Sequence, residues 1–160
     1  MTFDTPEEIS LRSLVGLPAV YEGRRLGNIE QVLLTPDADR LQGMVLRRGV
    51  MPARWIPAGD VALPGEICVV LRSPPRRYTA KCKRQAAFCP AGVRDSAGLM
   101  LGWITDSRIH IVTGQVTALE VALSLGEVML GGRYLARRWA VDPLSGQVII
   151  PCGYALENQP

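Results

Sequence analysis

The groups that could carry covalent chemistry are few and far apart. His110 is the only histidine in the 160-residue chain. It sits between Ile109 and Ile111, where alternation makes it a polar position on a strand. With one imidazole, no Ser–His or Cys–His pair can form without it. The four cysteines, Cys68, Cys82, Cys89 and Cys152, contain no CxxC pair. A zinc site would need an all-sulfur set drawn from these scattered positions, so they read as buried or surface thiols. A cytoplasmic location, the expected one here, disfavours disulfides. Cys82 and Cys89 lie in a basic stretch that could lower a thiol pKa, but neither has a resolving partner or a base beside it. Asp37 and Asp39 could act as an acid and base pair or hold a metal. In a turn containing Pro36, however, such carboxylates usually accept bonds from nearby backbone. The glycines fall at turns, without phosphate-loop spacing. The expectation is a chain that is not an enzyme and carries no metal or cofactor.

Binding chemistry is better represented. The net charge of +3, from 18 basic and 15 acidic residues, is too near balance to mark a polyanion-binding protein by itself. Its distribution is uneven. Between residues 73 and 92 stand Arg76, Arg77, Lys81, Lys83 and Arg84 with no acid. Ser73-Pro74-Pro75 argues for an extended approach, and Tyr78 and Phe88 could stack or fill an interface. Arg76, Arg77, Tyr78, Lys81, Lys83 and Arg84 are therefore the candidate partner-binding residues, suited to phosphates on RNA or to anionic lipid. The plainer reading is a solvated linker, or one neutralised by an acidic barrel surface. The doublets Arg24-Arg25, Arg47-Arg48 and Arg137-Arg138 form a second candidate, since arginine favours planar, bidentate partners. Sixteen of the eighteen basic residues are arginine, a bias that genome composition also produces. Trp55, Trp103 and Trp139 read as core, with one of them available as an interface anchor.

The elements that would position these groups are short strands. Sixteen glycines and twelve prolines spread along the chain favour many turns over long helices. No apolar run approaches the roughly 18 residues needed to cross a bilayer. The acidic start, Met1 to Glu8, lacks the pattern of a secretory signal. Self-similarity appears when Gly27-Asn28-Ile29 is placed over Gly102-Trp103-Ile104, carrying without a gap to Asp39–Met44 over Gly114–Leu119. In the first copy, strands are expected at 18–22, 26–34, 41–48, 54–57 and 66–72. In the second they are expected at 99–105, 108–112 and 116–123. Ser124-Leu125-Gly126-Glu127 has the form of a capping box and predicts an inserted short helix. Thr5-Pro6-Glu7-Glu8 is a second such box and predicts a helix over 6–14. About five strands in the first copy are the count of a small, strongly bent barrel, a plan the second copy keeps, and isolated halves should be fragile.

The segment Ser13-Leu14-Val15-Gly16-Leu17-Pro18-Ala19-Val20-Tyr21, then Leu26-Gly27-Asn28-Ile29, the acidic turn 37–39, and Trp55-Ile56-Pro57 with Gly59-Asp60-Val61 resemble the PRC-barrel family. The likeness covers residues 11–72. A weaker likeness covers 89–153, keeping Gly102-Trp103-Ile104 and Gly146-Gln147-Val148-Ile149-Ile150-Pro151 but replacing Val-Tyr by Val93-Arg94. The resemblance implies an all-β protein of two small PRC-type barrels in tandem, with one or two short helices and a basic linker over 73–88. The best understood members of that family are the cytoplasmic domain of the reaction-centre H subunit and the C-terminal domain of a ribosome maturation factor. Both imply a non-catalytic docking barrel. The first expectation is therefore an adaptor binding a macromolecular partner, most simply a protein, through barrel surfaces. The alternatives are an RNA- or ribosome-associated module using the 76–84 segment and a peripheral subunit at a membrane complex of photosynthetic type. The sequence leaves the oligomeric state open.

Overall fold

Two eleven-residue strands organise the protein, one in each half. The computed structural model describes residues 7–85, 92–130, 134–151 and 156–158. Its first half runs β1 (Glu8–Ser10), helix α1 (Leu11–Leu14), β2 (Pro18–Tyr21), β3 (Arg24–Leu34), β4 (Leu41–Arg47), β5 (Arg54–Pro57), a 3-10 turn (Ala58–Asp60), β6 (Val61–Pro64), β7 (Val69–Leu71) and β8 (Arg76–Arg77). Helix α2 (Ala80–Gln85) follows. The second half runs β9 (Val93–Asp95), β10 (Met100–His110), β11 (Val116–Ala122), helix α3 (Leu125–Leu130), β12 (Tyr134–Ala136), β13 (Ala140–Val141), β14 (Val148–Ile150) and β15 (Glu157–Asn158). The expectation of a mostly β chain with short helices holds. Among the described residues no helix is long and apolar enough to cross a membrane.

The strands form two sheets on one plan. The first has the order β6-β7-β2-β3-β4-β5-β8 and the second β13-β14-β9-β10-β11-β12-β15, with β1 added beside β10. Irregularities repeat as well. Against β4, the register of β3 shifts between Ile29 and Gln31 and between Leu33 and Leu34. Against β11, the register of β10 shifts between Ile104 and Asp106 and between Arg108 and Ile109. From Ile29 to Ile104 and from Leu34 to Ile109 the step is 75 residues. Such bulges bend and twist a strand, which suits a tightly curled sheet. In the first sheet the curl brings Asp60, beside β6, to within 3.6 Å of Arg76 on β8. Arg72 also donates its backbone N–H to the Asp60 carbonyl at 2.7 Å.

The halves meet along a local two-fold. Arg40 and Gln115 form an antiparallel bridge. Leu41 N–H donates to the Gly114 carbonyl and Val116 N–H to the Asp39 carbonyl, each at 2.8 Å. Shifting 39, 40 and 41 by 75 gives 114, 115 and 116, so each bond is the symmetry mate of the other, as in an isologous interface between subunits. Behind this seam lies one apolar core drawn from both sheets. Met44, Leu46 and Ile56 pack in the same cluster as Ile109, Leu119, Val121 and Val148. The central strands β4 and β11 are buried on both faces for most of their length, which is why neither shows clean alternation in sequence.

The N-terminal segment departs from expectation. Thr5 and Pro6 lie outside the described residues, but Glu8–Ser10 is a strand and only 11–14 is helical. Pairing with the free edge of β10, Glu8 opposite His110, supplies three residues with tertiary hydrogen bonds that local helix propensity does not match. The segment then straps the two sheets together. The Ser10 hydroxyl donates to the Asp106 carboxylate, Arg12 N–H donates to Asp106 Oδ1 at 3.2 Å, and Arg12 Nη2 donates to the Thr105 carbonyl at 2.8 Å. Leu14 is fully buried, and the chain next bonds the first sheet, where Gly16 N–H donates to the Ile29 carbonyl at 2.7 Å. Replacing Asp106 by alanine is expected to cost about 1–2 kcal/mol, because it removes the acceptor of the Ser10 hydroxyl and of the Arg12 and Ser107 amides. Hydrogen exchange should show loss of protection concentrated over residues 8–14.

Two other expectations change in detail, and a third holds. The strands read as 99–105 and 108–112 are one continuous β10, kinked by its bulges. The strand placed at 66–72 is confined to 69–71, and β6 pairs with it across the 65–68 turn. The Ser124 box forms: Glu127 N–H donates to Ser124 Oγ at 3.2 Å, and the Glu127 carboxylate accepts from Leu123 N–H at 2.8 Å.

Candidate docking surface at the end of the first sheet

Strand register decides which basic groups come together. β4 ends at Arg47, where Asn28 of β3 is its partner, and Arg54 of β5 lies opposite Leu46. β8 then adds to β5 with Arg77 opposite Arg54 and Arg76 opposite Trp55. The first strand turn delivers Arg24 and Arg25 to this same end of the sheet. Arg24, Arg25, Arg47, Arg48, Arg54 and Arg77 are thus gathered from four strands, and all are exposed. The acids near them are Glu22 and Glu30, so the pole carries a net +4, more than the whole chain's +3. A surface hollow of about 520 Å³ is lined by Arg25, Asn28, Glu30, Arg47 and Arg48. Within it Arg25 Nη2 donates to Asn28 Oδ1 at 2.6 Å and Arg47 Nε to Glu30 Oε1 at 2.8 Å.

The sequence-derived set is only partly reassembled here. The segment read as a basic linker over 73–88 is in part built into the fold as β8 and α2. Arg77 joins the arginine pole. Arg76 turns to Asp60, whose buried Oδ2 has no hydrogen-bond partner among the described residues and lies 3.6 Å from the Arg76 guanidinium. Tyr78 stacks on Trp55, with centroids 5.8 Å apart and planes 21° from parallel. With Val45, Leu33 and Cys82 that pair forms a small apolar cluster on the sheet face opposite the main core, a contact of about 0.5–1.5 kcal/mol beyond its area. Lys81 is exposed on α2. Lys83 and Arg84 fall on the same helix, but their side chains lie outside the described residues, as do Phe88, Cys89 and Cys152. Of the arginine doublets, 24–25 and 47–48 meet at the pole. Arg137 belongs to the other half and pairs with Glu8 at 2.9 Å.

The remaining candidates serve the fold. His110 Nδ1 accepts from the backbone N–H groups of Val112 and Thr113 at 3.2 and 3.3 Å. Asp37 accepts from the Thr35 hydroxyl at 2.6 Å, which holds its carboxyl below the ordinary range, with the Asp39 amide helping. Asp142 is lowered in the same way by Ser145 and the Leu144 amide. The Thr79 hydroxyl lies 3.4 Å from Cys82 Sγ and lowers that thiol, with Lys81 adding to the effect against burial. Among the described residues no three His, Cys, Asp or Glu side chains converge as a metal site would require.

Two features escaped sequence reasoning. Arg54 stands alone in sequence, and only the β5–β8 register shows it facing Arg77. Like charges directly opposite on neighbouring strands repel. Replacing Arg77 by glutamate is therefore expected to stabilise the free protein by about 0.5 kcal/mol, a small upward shift in melting temperature.

The second feature is the β4–β5 turn, closed by Met51 N–H donating to the Arg48 carbonyl at 3.1 Å. Its tip holds Val50, entirely exposed, and Met51, half exposed. An aliphatic pair inside a Gly-and-Pro turn between Arg48 and Arg54 is its only sequence signal.

The second copy presents different chemistry at the matching place. The positions 75 residues beyond Arg24, Arg25, Arg47 and Arg48 are Leu99, Met100, Ala122 and Leu123. Leu99, Met100 and Leu123 are all exposed large hydrophobics. Because the Arg40–Gln115 bridge is antiparallel, β4 and β11 leave it in opposite directions. The basic and apolar ends are opposite poles. No protein-family model matches the chain, and no curated protein matches it.

Proposed function

We propose that the chain is a non-catalytic docking adaptor, two PRC-type barrels fused about a local two-fold and carrying unlike binding surfaces at their far ends. The observation that carries this reading is the exchange of Arg24, Arg25, Arg47 and Arg48 in one copy for Leu99, Met100, Ala122 and Leu123 in the other. The strands that carry the two sets repeat in order and in their bulges, although α3 stands after Leu123 where the first copy has the β4–β5 turn. Leu99, Met100 and Leu123 are exposed where they replace Arg24, Arg25 and Arg48, whereas Ala122 is buried; at the three exposed positions packing imposes no difference, and side chains that differ there serve recognition. The apolar pole suits a protein partner, because exposed Leu and Met side chains gain from desolvation in an interface. The basic pole suits an anionic one.

Affinity purification from native lysate tests the adaptor reading with two full-length variants. Leu99→Glu with Leu123→Glu should remove a protein recovered with the wild type. Arg24→Gln with Arg48→Gln should leave that protein bound through the apolar pole. A wild-type chain recovered alone under gentle conditions, or a prey indifferent to both variants, contradicts the proposal.

A further inference from the structure

We infer that the basic pole docks on an anionic lipid bilayer, with the Val50–Met51 tip entering the headgroup region and the surrounding arginines resting on lipid phosphates. This deepens the adaptor reading by naming what one of its poles binds. Two independent observations meet there. The first is charge: Arg24, Arg25, Arg47, Arg48, Arg54 and Arg77, all exposed, arrive from separate strands at one end of a sheet. Arg54 and Arg77 face each other directly, an arrangement that costs energy in water and is relieved when an anionic group lies between them.

The second is the tip itself. Val50 has a relative exposure of 103%, and it and the half-exposed Met51 project between Arg48 and Arg54 in sequence. An aliphatic tip flanked by cations has the amphipathic character of interfacial anchors, apolar groups below the headgroups and cations at their level.

The same observations disfavour RNA. Recognition of unpaired bases relies on exposed aromatic rings. Here Tyr78 is already stacked on Trp55, Trp55 is buried, and Tyr21 packs against the main core. The exposed apolar groups at this pole are aliphatic and offer no π-face to a base.

Co-sedimentation of the full-length protein with vesicles is the test. Vesicles of phosphatidylcholine alone should leave it in the supernatant, and vesicles with about a third phosphatidylserine should carry it down, less so in high salt. Replacing Arg24, Arg48, Arg54 and Arg77 by glutamine should lower partitioning on the order of 1000-fold. Val50→Asp with Met51→Asp should lower it roughly tenfold, while circular dichroism and melting temperature stay unchanged because both side chains are solvent-facing.

Three results overturn the inference: equal binding to neutral and anionic vesicles, full binding by the Val50/Met51 variant, or polyuridine retention that requires the arginines while vesicles are ignored. The two proposals fail separately. Loss of vesicle binding with a prey retained at Leu99 and Leu123 removes only the lipid assignment. Vesicle binding without any protein prey removes only the adaptor.

Discussion

Alanine at Gly102 is expected to destabilise the protein by about 3 kcal/mol or more, lowering the melting temperature by roughly 6–12 °C for a chain of this size. A β-carbon there would sit 2.1 Å from the Ala122 carbonyl oxygen and 3.0 Å from its carbon. Those atoms are backbone, held in the β10–β11 ladder, so no side-chain rotation relieves the clash and the strands must part. The position next to Gly102 on β10 is skipped by the β9 register, and this bulge presses the glycine against the neighbouring strand. Gly27 has the same neighbours one copy earlier. Its added carbon would lie 2.6 Å from the Arg47 carbonyl oxygen, at a φ of +151° that disfavours any side chain. Alanine at Gly27 should therefore cost a similar amount. Gly59 is the control, since nothing lies within 4 Å of a β-carbon there and its φ is ordinary; alanine at Gly59 should be nearly neutral. Thermal melts of the three variants decide the matter. A change at Gly102 no larger than that at Gly59 would mean that β10 and β11 do not approach as described.

The same glycines explain what could be read from sequence. Gly27 over Gly102 was the anchor of the self-alignment, and it is conspicuous because a close backbone approach admits no other residue. From it the long strands, the acidic turn at 37–39 and the return strands follow as turn residues and apolar runs. What was not legible depends on partners distant in sequence. β8 is two arginines long and has no pattern of its own; it is a strand because Trp55 and Arg54 offer an edge. The Thr5–Glu8 motif obeys a helix-start rule, yet the open edge of β10 a hundred residues later claims Glu8–Ser10. The docking surface was half visible. The doublets 24–25 and 47–48 stand in the sequence as one candidate, and the connector cluster as another. Only register across β3, β4, β5 and β8 joins Arg77 to the doublets and assigns Tyr78 to packing. Val50 and Met51 were invisible because an exposed aliphatic pair and a buried one read alike until the fold shows which side faces water.

Neither half of the chain is expected to fold as a monomer when made alone, and the two should recover the native state when combined. Residues 1–85 and 86–160 divide the chain between its sheets. Each sheet alone would expose the inner face it now buries against the other, including Met44 and Ile56 on one side and Leu119 and Val121 on the other, all buried in one cluster. A unit of this size buries only about 60% of its unfolded surface even when complete, so losing one wall of its core removes most of a marginal stability. The cut also separates β1 from the sheet it completes, since Glu8–Ser10 pairs with Arg108–His110, and takes Ser10 from Asp106. Near-ultraviolet circular dichroism should show no fixed tertiary signal for either fragment at low concentration, and a cooperative melt should return on mixing. The local two-fold supplies a second readout. The edge at Asp39–Leu41 now bonds Gly114–Val116, so the first fragment can meet a second copy of itself at that edge. Any structure it gains should therefore rise with concentration. A fragment that melts cooperatively at a concentration-independent temperature would show that the shared core is not what holds the molecule together.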